Sequence, residues 1–106
     1  MKKNFTKWVH WIERSKLENL SYPGIYVIAV STRNISNEPF GWRSEIVYFG
    51  MTNSIGGLKS RLNQFDNTIK GKRGHGGARR FLYKYRNYSA LTKNLYVSIK
   101  PFICDA

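Results

Sequence analysis

Residues 25 to 30, Ile25-Tyr26-Val27-Ile28-Ala29-Val30, are apolar or aromatic at every position. Side chains alternate between the two faces of a strand, so such a run has no face to give to water and needs cover on both sides. A chain of 106 residues has room for one domain, 1-106, so the rest of the sequence must supply that cover. The Pro23-Gly24 turn signal leads into this strand, a second run follows at Glu45-Ile46-Val47-Tyr48-Phe49-Gly50, and a third, Leu95-Tyr96-Val97-Ser98-Ile99, is halted by Pro101.

Between the strands the period changes. Phe5, Trp8, Val9, Ile12, Leu17 and Leu20 recur at mostly helical intervals after a cap at Asn4 or Thr6, which predicts an amphipathic helix over 6–18. Leu58, Leu62, Phe65 and Ile69 are spaced four, three and four, a narrow apolar stripe on a helix that begins near Gly56 and stops at Gly71. Ala78 to Arg86 reads as a short cationic helix with Phe81, Leu82 and Tyr85 turned inward. Residues 32–44, with Asn34, Asn37, Pro39 and Gly41, form a long polar connection. The expected fold is α/β in the α+β sense: a small, three-stranded, mostly antiparallel sheet flanked by helices on both faces.

Charge narrows the partner. The chain carries 18 Lys+Arg against 6 Asp+Glu, a net +12, with 42% hydrophobic residues, so a disordered polyelectrolyte is excluded. Residues 1–57 hold a net +3 and residues 58–100 a net +10, with Asp66 the one acid among eleven cations in that half. Sixteen aromatic residues accompany this charge. The pattern points to an anionic polymer, although ribosomal proteins and membrane-surface binders share it. Lys59, Lys70, Lys72, Arg73, Arg79 and Arg80 are the candidate phosphate contacts. Cys104 is alone and His10 and His75 lie far apart, so neither a disulfide nor a Cys/His zinc cluster is expected and a reducing cytoplasm is the natural setting. The segment after the basic N-terminus is interrupted by Glu13 and Arg14 too early for a signal-peptide core, and no run approaches the length of a membrane span. The loop Gly71 to Gly77 lacks the Lys-Ser/Thr ending of a P-loop, and its His75 is a candidate for phosphate contact or leaving-group protonation.

Gly24-Ile25-Tyr26 on one strand, Tyr48-Phe49-Gly50 on the next and Arg61 on the following helix, beside Leu58 and Leu62, resemble the GIY-YIG nuclease family over residues 22 to 100. That resemblance implies a metal-dependent DNA endonuclease, of a restriction, homing or repair system, acting on duplex DNA with magnesium. Tyr26 would be the general base or would orient the attacking water. Tyr48 would hold that water or support Tyr26, Arg61 would clamp the scissile phosphate, and a glutamate beyond the third strand would hold the metal. Three departures follow. The 21 residues between Tyr26 and Tyr48 make 32–44 an inserted loop and a candidate DNA or partner contact. Phe65 stands where some members place a histidine, so that assistant is absent or replaced by His75. Of the acids Glu13, Glu18, Glu38, Glu45, Asp66 and Asp105, only Asp105 follows the third strand. Either the chain is a C-terminally incomplete piece of a longer nuclease, or Asp105 serves as ligand, or the module binds without cutting.

The residue types suit the chemistry. Phosphodiester hydrolysis needs an activated water and neutralisation of the phosphoryl oxygens. A phenol with pKa about 10 serves as a base only where nearby cations favour phenolate, and a guanidinium fork matches phosphate geometry. Tyr26 and Tyr48 also suit a strand for packing reasons alone. A non-catalytic DNA- or RNA-binding module, or a ribosomal-type RNA binder stacking bases on Tyr83, Tyr85 and Tyr88, accounts for the same composition.

Overall fold

The computed structural model describes residues 5–70 and 88–103. They form an α+β fold around an antiparallel sheet of β1 (Val9–His10), β2 (Gly24–Val30), β3 (Ile46–Thr52) and β4 (Leu95–Pro101), in the order β1-β4-β2-β3. A 3₁₀ helix spans Trp11–Lys16, α1 spans Gly57–Ile69 and α2 spans Tyr88–Lys93. The doubly apolar run is thus β2, hydrogen-bonded on both sides to β3 and β4. No described helix is long and apolar enough to cross a membrane.

The two faces of the sheet are covered differently. Tyr26, Ile28, Val97 and Ile99 point to one face, where Leu58, Leu62, Phe65 and Ile69 of α1 close over them together with Trp11, Leu17, Leu91 and Leu95. The stripe read from the sequence is therefore the buried face of α1. Val27, Ala29 and Tyr96 point to the other face, packed under Trp8, Ile35 and Phe40, with Phe5, Ile25 and Ile46 at the margin. No helix among the described residues lies there. Among the described residues its cover is the 32–44 segment and the extended N-terminal stretch, and the helix expected over 78–86 lies outside the described residues.

The helix expected over 6–18 is replaced by a strand and a short 3₁₀ turn. Thr6 exchanges two hydrogen bonds with Ile99, through its backbone N–H (2.8 Å to the Ile99 carbonyl) and through its hydroxyl, which accepts the Ile99 N–H at 3.1 Å. Val9 then pairs with Val97 and His10 with Tyr96. Sheet pairing satisfies the backbone more completely than an isolated amphipathic turn would, so tertiary context overrides the spacing. Ile12, expected to face inward, is exposed as a result.

The long loop is also more ordered than its polarity suggested. Ile35 and Phe40 are buried, and Phe40 stacks on Phe5 with ring centroids 4.2 Å apart. Trp8 and the loop backbone exchange bonds: Trp8 N–H to the Glu38 carbonyl at 3.0 Å and Asn37 N–H to the Trp8 carbonyl at 2.8 Å. The Glu38 carboxylate bridges Arg33 and Arg43, and Arg43 reaches Glu45 at 2.9 Å. Arg33, with Arg43 beside it, holds the Glu38 carboxyl below the usual carboxylate range.

Helix α1 begins where the backbone turns through Gly57, whose φ of 65° is left-handed and whose Cβ position would fall on the Ser21–Tyr22 backbone. No side chain caps it. Instead the Leu58 and Lys59 N–H groups bond the carbonyls of Tyr22 and Leu20 at 2.9 and 2.8 Å, so the turn preceding β2 satisfies the first turn of α1.

Candidate functional site

The β2–β3 register sets Tyr26 opposite Gly50 and Ile28 opposite Tyr48. Residues two apart on one strand share a face, so Tyr26 and Tyr48 emerge side by side, their rings stacked at 27° with centroids 6.0 Å apart. Gly50 explains itself here: a Cβ at that position would lie on the ring and hydroxyl of Tyr26. Gly24 is equally constrained, since a Cβ there would come within 2.9 Å of the Pro101 Cα and 3.1 Å of Leu58. Both glycines of the two strand motifs are thus demanded by close packing.

Across this pair lies α1. Phe65 is fully buried and packs edge-on to Tyr26 (6.5 Å), tilted against Tyr48 (5.3 Å) and against Trp11 (5.5 Å). The position where the resemblance offered a histidine in some members is an aromatic wedge in this chain. One turn earlier Arg61 is half-buried at the border of the apolar stripe, and its positive charge is felt at the Tyr26 hydroxyl. The structure brings Tyr26, Tyr48 and Arg61 to one face.

The Tyr26 hydroxyl is the unusual atom. The side chain is 0% exposed and the oxygen has no partner in full hydrogen-bond geometry, although the Tyr48 hydroxyl lies close enough to act on its proton. Burial, and next the neighbouring Tyr48, push its pKa well above the ordinary phenol value, while Arg61 pulls weakly the other way. In this arrangement Tyr26 is a neutral phenol at physiological pH. It has a proton to donate and cannot take one.

Of the candidate phosphate contacts, Lys59 is exposed on α1, whereas Lys70, at the end of the helix, reaches Asp66 at 2.8 Å. Lys72, Arg73, His75, Arg79, Arg80 and Asp105 lie outside the described residues. Asp66 is a site that sequence reasoning passed over. It is buried, accepts the Trp11 indole N–H at 2.8 Å and pairs with Arg14 at 3.4 Å, whose guanidinium stacks 4.6 Å above the Trp11 ring. Its signal was visible: a lone acid in a half-chain of cations needs a reason.

That commitment bears on a metal. Among the described residues no three Asp, Glu, His or Cys side chains come together as a ligand set. Asp66 is held by Trp11, Arg14 and Lys70, and Glu38 and Glu45 by the loop arginines. The described residues do not fit a divalent ion beside the tyrosines. Comparison with protein-family models, with curated proteins and with solved structures returned no match.

Proposed function

We propose that the chain is a nucleic-acid enzyme of GIY-YIG type, a DNA endonuclease whose reacting phosphate meets the Tyr26, Tyr48 and Arg61 face. The observation that supports this most is the convergence itself: two adjacent strands stack one tyrosine of each motif, and the helix that follows carries a half-buried arginine within electrostatic reach of Tyr26. Hydrolysis would form a bond from a water oxygen to phosphorus while one ester P–O bond breaks and the leaving oxygen takes a proton. Arg61 would neutralise the phosphoryl oxygens. With its raised pKa, Tyr26 suits orienting the water or donating a hydrogen bond better than removing a proton. Duplex DNA in a reducing cytoplasm is the substrate and setting that charge and the lone Cys104 favour.

A second reading has its own observation. The described residues supply no metal ligand set, and the Tyr26 hydroxyl is shut off from solvent, as in a basic DNA- or RNA-binding module that keeps the scaffold without the chemistry. Plasmid nicking with Mg²⁺ or Mn²⁺ separates the two. The enzyme reading expects cleavage that falls by about 10²–10³ in Arg61→Ala, the effect of removing one charge-stabilising donor, and that is lost in Tyr26→Phe. The binding reading expects no cleavage, and affinity that falls with salt at a slope near −0.9 per phosphate neutralised.

A further inference from the structure

The two edges of the described sheet are β1 and β3, and they are built differently. An edge strand leaves a row of N–H and C=O groups unpaired, and proteins blunt it by keeping it short, charging it or covering it. β1 is two residues long. β3 runs seven, and no charged residue occurs between Glu45 and Lys59 in a chain that is 23% charged. Val47, Phe49 and Met51 are exposed along it, and Trp42, 76% exposed, lies against Phe49 with ring centroids 5.0 Å apart. The cations of the loop that precedes β3 are paired, Arg43 with Glu38 and Glu45 and Arg33 with Glu38.

We propose that β3 is a homodimerisation edge that pairs antiparallel with β3 of a second copy, so that the two sheets run on as one. Charge selects this occupant. A nucleic acid or an acidic protein would need unpaired cations, and the side of β3 that carries Val47, Phe49 and Met51 offers none among the described residues, Arg61 lying with Tyr48 on the other face. A contact across a two-fold axis must be complementary to itself, which an uncharged strand satisfies because no side chain meets its own charge. A molecule of net +12 can approach its copy only where its charge is locally neutral. The antiparallel ladder supplies backbone bonds, and the two-fold, perpendicular to the sheet, gathers the Trp42–Phe49 pairs of both copies on one side. On the nuclease reading both tyrosine faces would then share the other side. The proposal itself does not depend on that reading, and its test reads no activity.

Sedimentation equilibrium of the full chain, nuclease-treated and in ~0.5 M NaCl to screen phosphate bridging, is expected to give the mass of two chains at ~100 μM, where a micromolar dimer is populated. Phe49→Lys and Met51→Lys each set like charges across the axis and are expected to weaken association by about 100-fold or more. Their circular dichroism should be unchanged, because both side chains already face solvent. Trp42→Ser probes the same edge from the loop should a strand variant fail to fold. A wild-type chain that stays monomeric at ~100 μM, lysine variants that associate as tightly as wild type, or association abolished by nuclease treatment would each overturn the proposal.

Discussion

The two faces of the sheet bury comparable aromatic cores by opposite means. On one, α1 and the 3₁₀ helix lay Trp11, Leu62 and Phe65 over Tyr26 and Tyr48. On the other, an extended N-terminal stretch and a loop fold Trp8, Ile35 and Phe40 over Val27 and Ala29, and the cover stops short of β3, leaving Phe49 and Met51 bare. Each face also buries a hydrogen-bonding group that has no partner in full hydrogen-bond geometry, the Tyr26 hydroxyl on the helical side and the Trp8 indole N–H on the loop side. The difference lies in what surrounds those groups. Around Tyr26 are a second phenol and a guanidinium, groups that can act on a phosphate. Around Trp8 are Phe40 and the backbone of the loop, which can only hold it in place. Helical cover thus carries the candidate chemistry, and loop cover carries stability and a free edge.

The sharpest way to break that contrast is to remove one aromatic hub from each face. Phe65→Ala empties a site bounded by Trp11, Tyr26 and Tyr48 on regular elements that cannot collapse into the gap, and should cost about 3–5 kcal/mol, a large share of the stability of a domain this size. Phe40→Ala empties a site closed by a loop that can settle, and should fall at or below the lower end of that range. Urea unfolding of both variants decides it. Equal losses would mean that the loop is as rigid a wall as the helix.

Asp66 tests whether the helical face depends on a polar knot. Asp66→Ala strands a buried indole N–H and frees Arg14 and Lys70, which are partly solvated and can recover water contacts. The expected loss is about 2–3 kcal/mol, below that of a fully buried pair. Asp66→Asn keeps one acceptor for Trp11 and should lose about half as much. If Ala and Asn cost the same, the ion pairs and not the indole bond hold the knot, and the unfolding midpoint should then fall with added salt.

Local spacing carried far where one element decided the outcome. The β2 run, the antiparallel β2–β3 pair and the α1 stripe were all legible, because each is a periodicity that a single neighbour satisfies. Tyr26, Tyr48 and Arg61 were singled out by resemblance, and their grouping on one face follows from the β2–β3 register and the seating of α1, which no local spacing gives. What failed was non-local. The 5–10 stretch has helical spacing, yet Thr6 and Val9 bond to β4, some ninety residues away. No local pattern announces that partner. The long loop looked like a solvated insertion because its polar residues are many, while its two buried side chains, Ile35 and Phe40, are too few to form a pattern. Asp66 belongs to the same class: its partners Trp11 and Arg14 come from the segment whose fold was misread.

The smallest expected effect bears most directly on the comparison. Tyr26→Phe removes only the hydroxyl and leaves the ring to pack on Tyr48 and Phe65. A buried hydroxyl without a partner in full hydrogen-bond geometry costs about 1–3 kcal/mol, part of which is offset by the small void left behind, so the variant should be about 1 kcal/mol more stable than wild type at neutral pH. Alkaline pH enlarges the difference. The unfolded chain releases the Tyr26 proton near the ordinary value of about 10, whereas the folded chain holds it to higher pH. The contribution is therefore fully present below pH ~10 and is lost as pH rises through the folded value, because deprotonation then favours the unfolded state. Phenylalanine cannot ionise in either state, so the variant should lack that share of the alkaline decline, as urea titrations from neutral to alkaline pH would show. A gain in stability together with loss of plasmid cleavage would mark a group kept against the interest of the fold, as expected of a working residue. Loss of stability would mean that the hydroxyl has a partner, the Tyr48 hydroxyl or a water, and that the two faces differ less than their surroundings suggest.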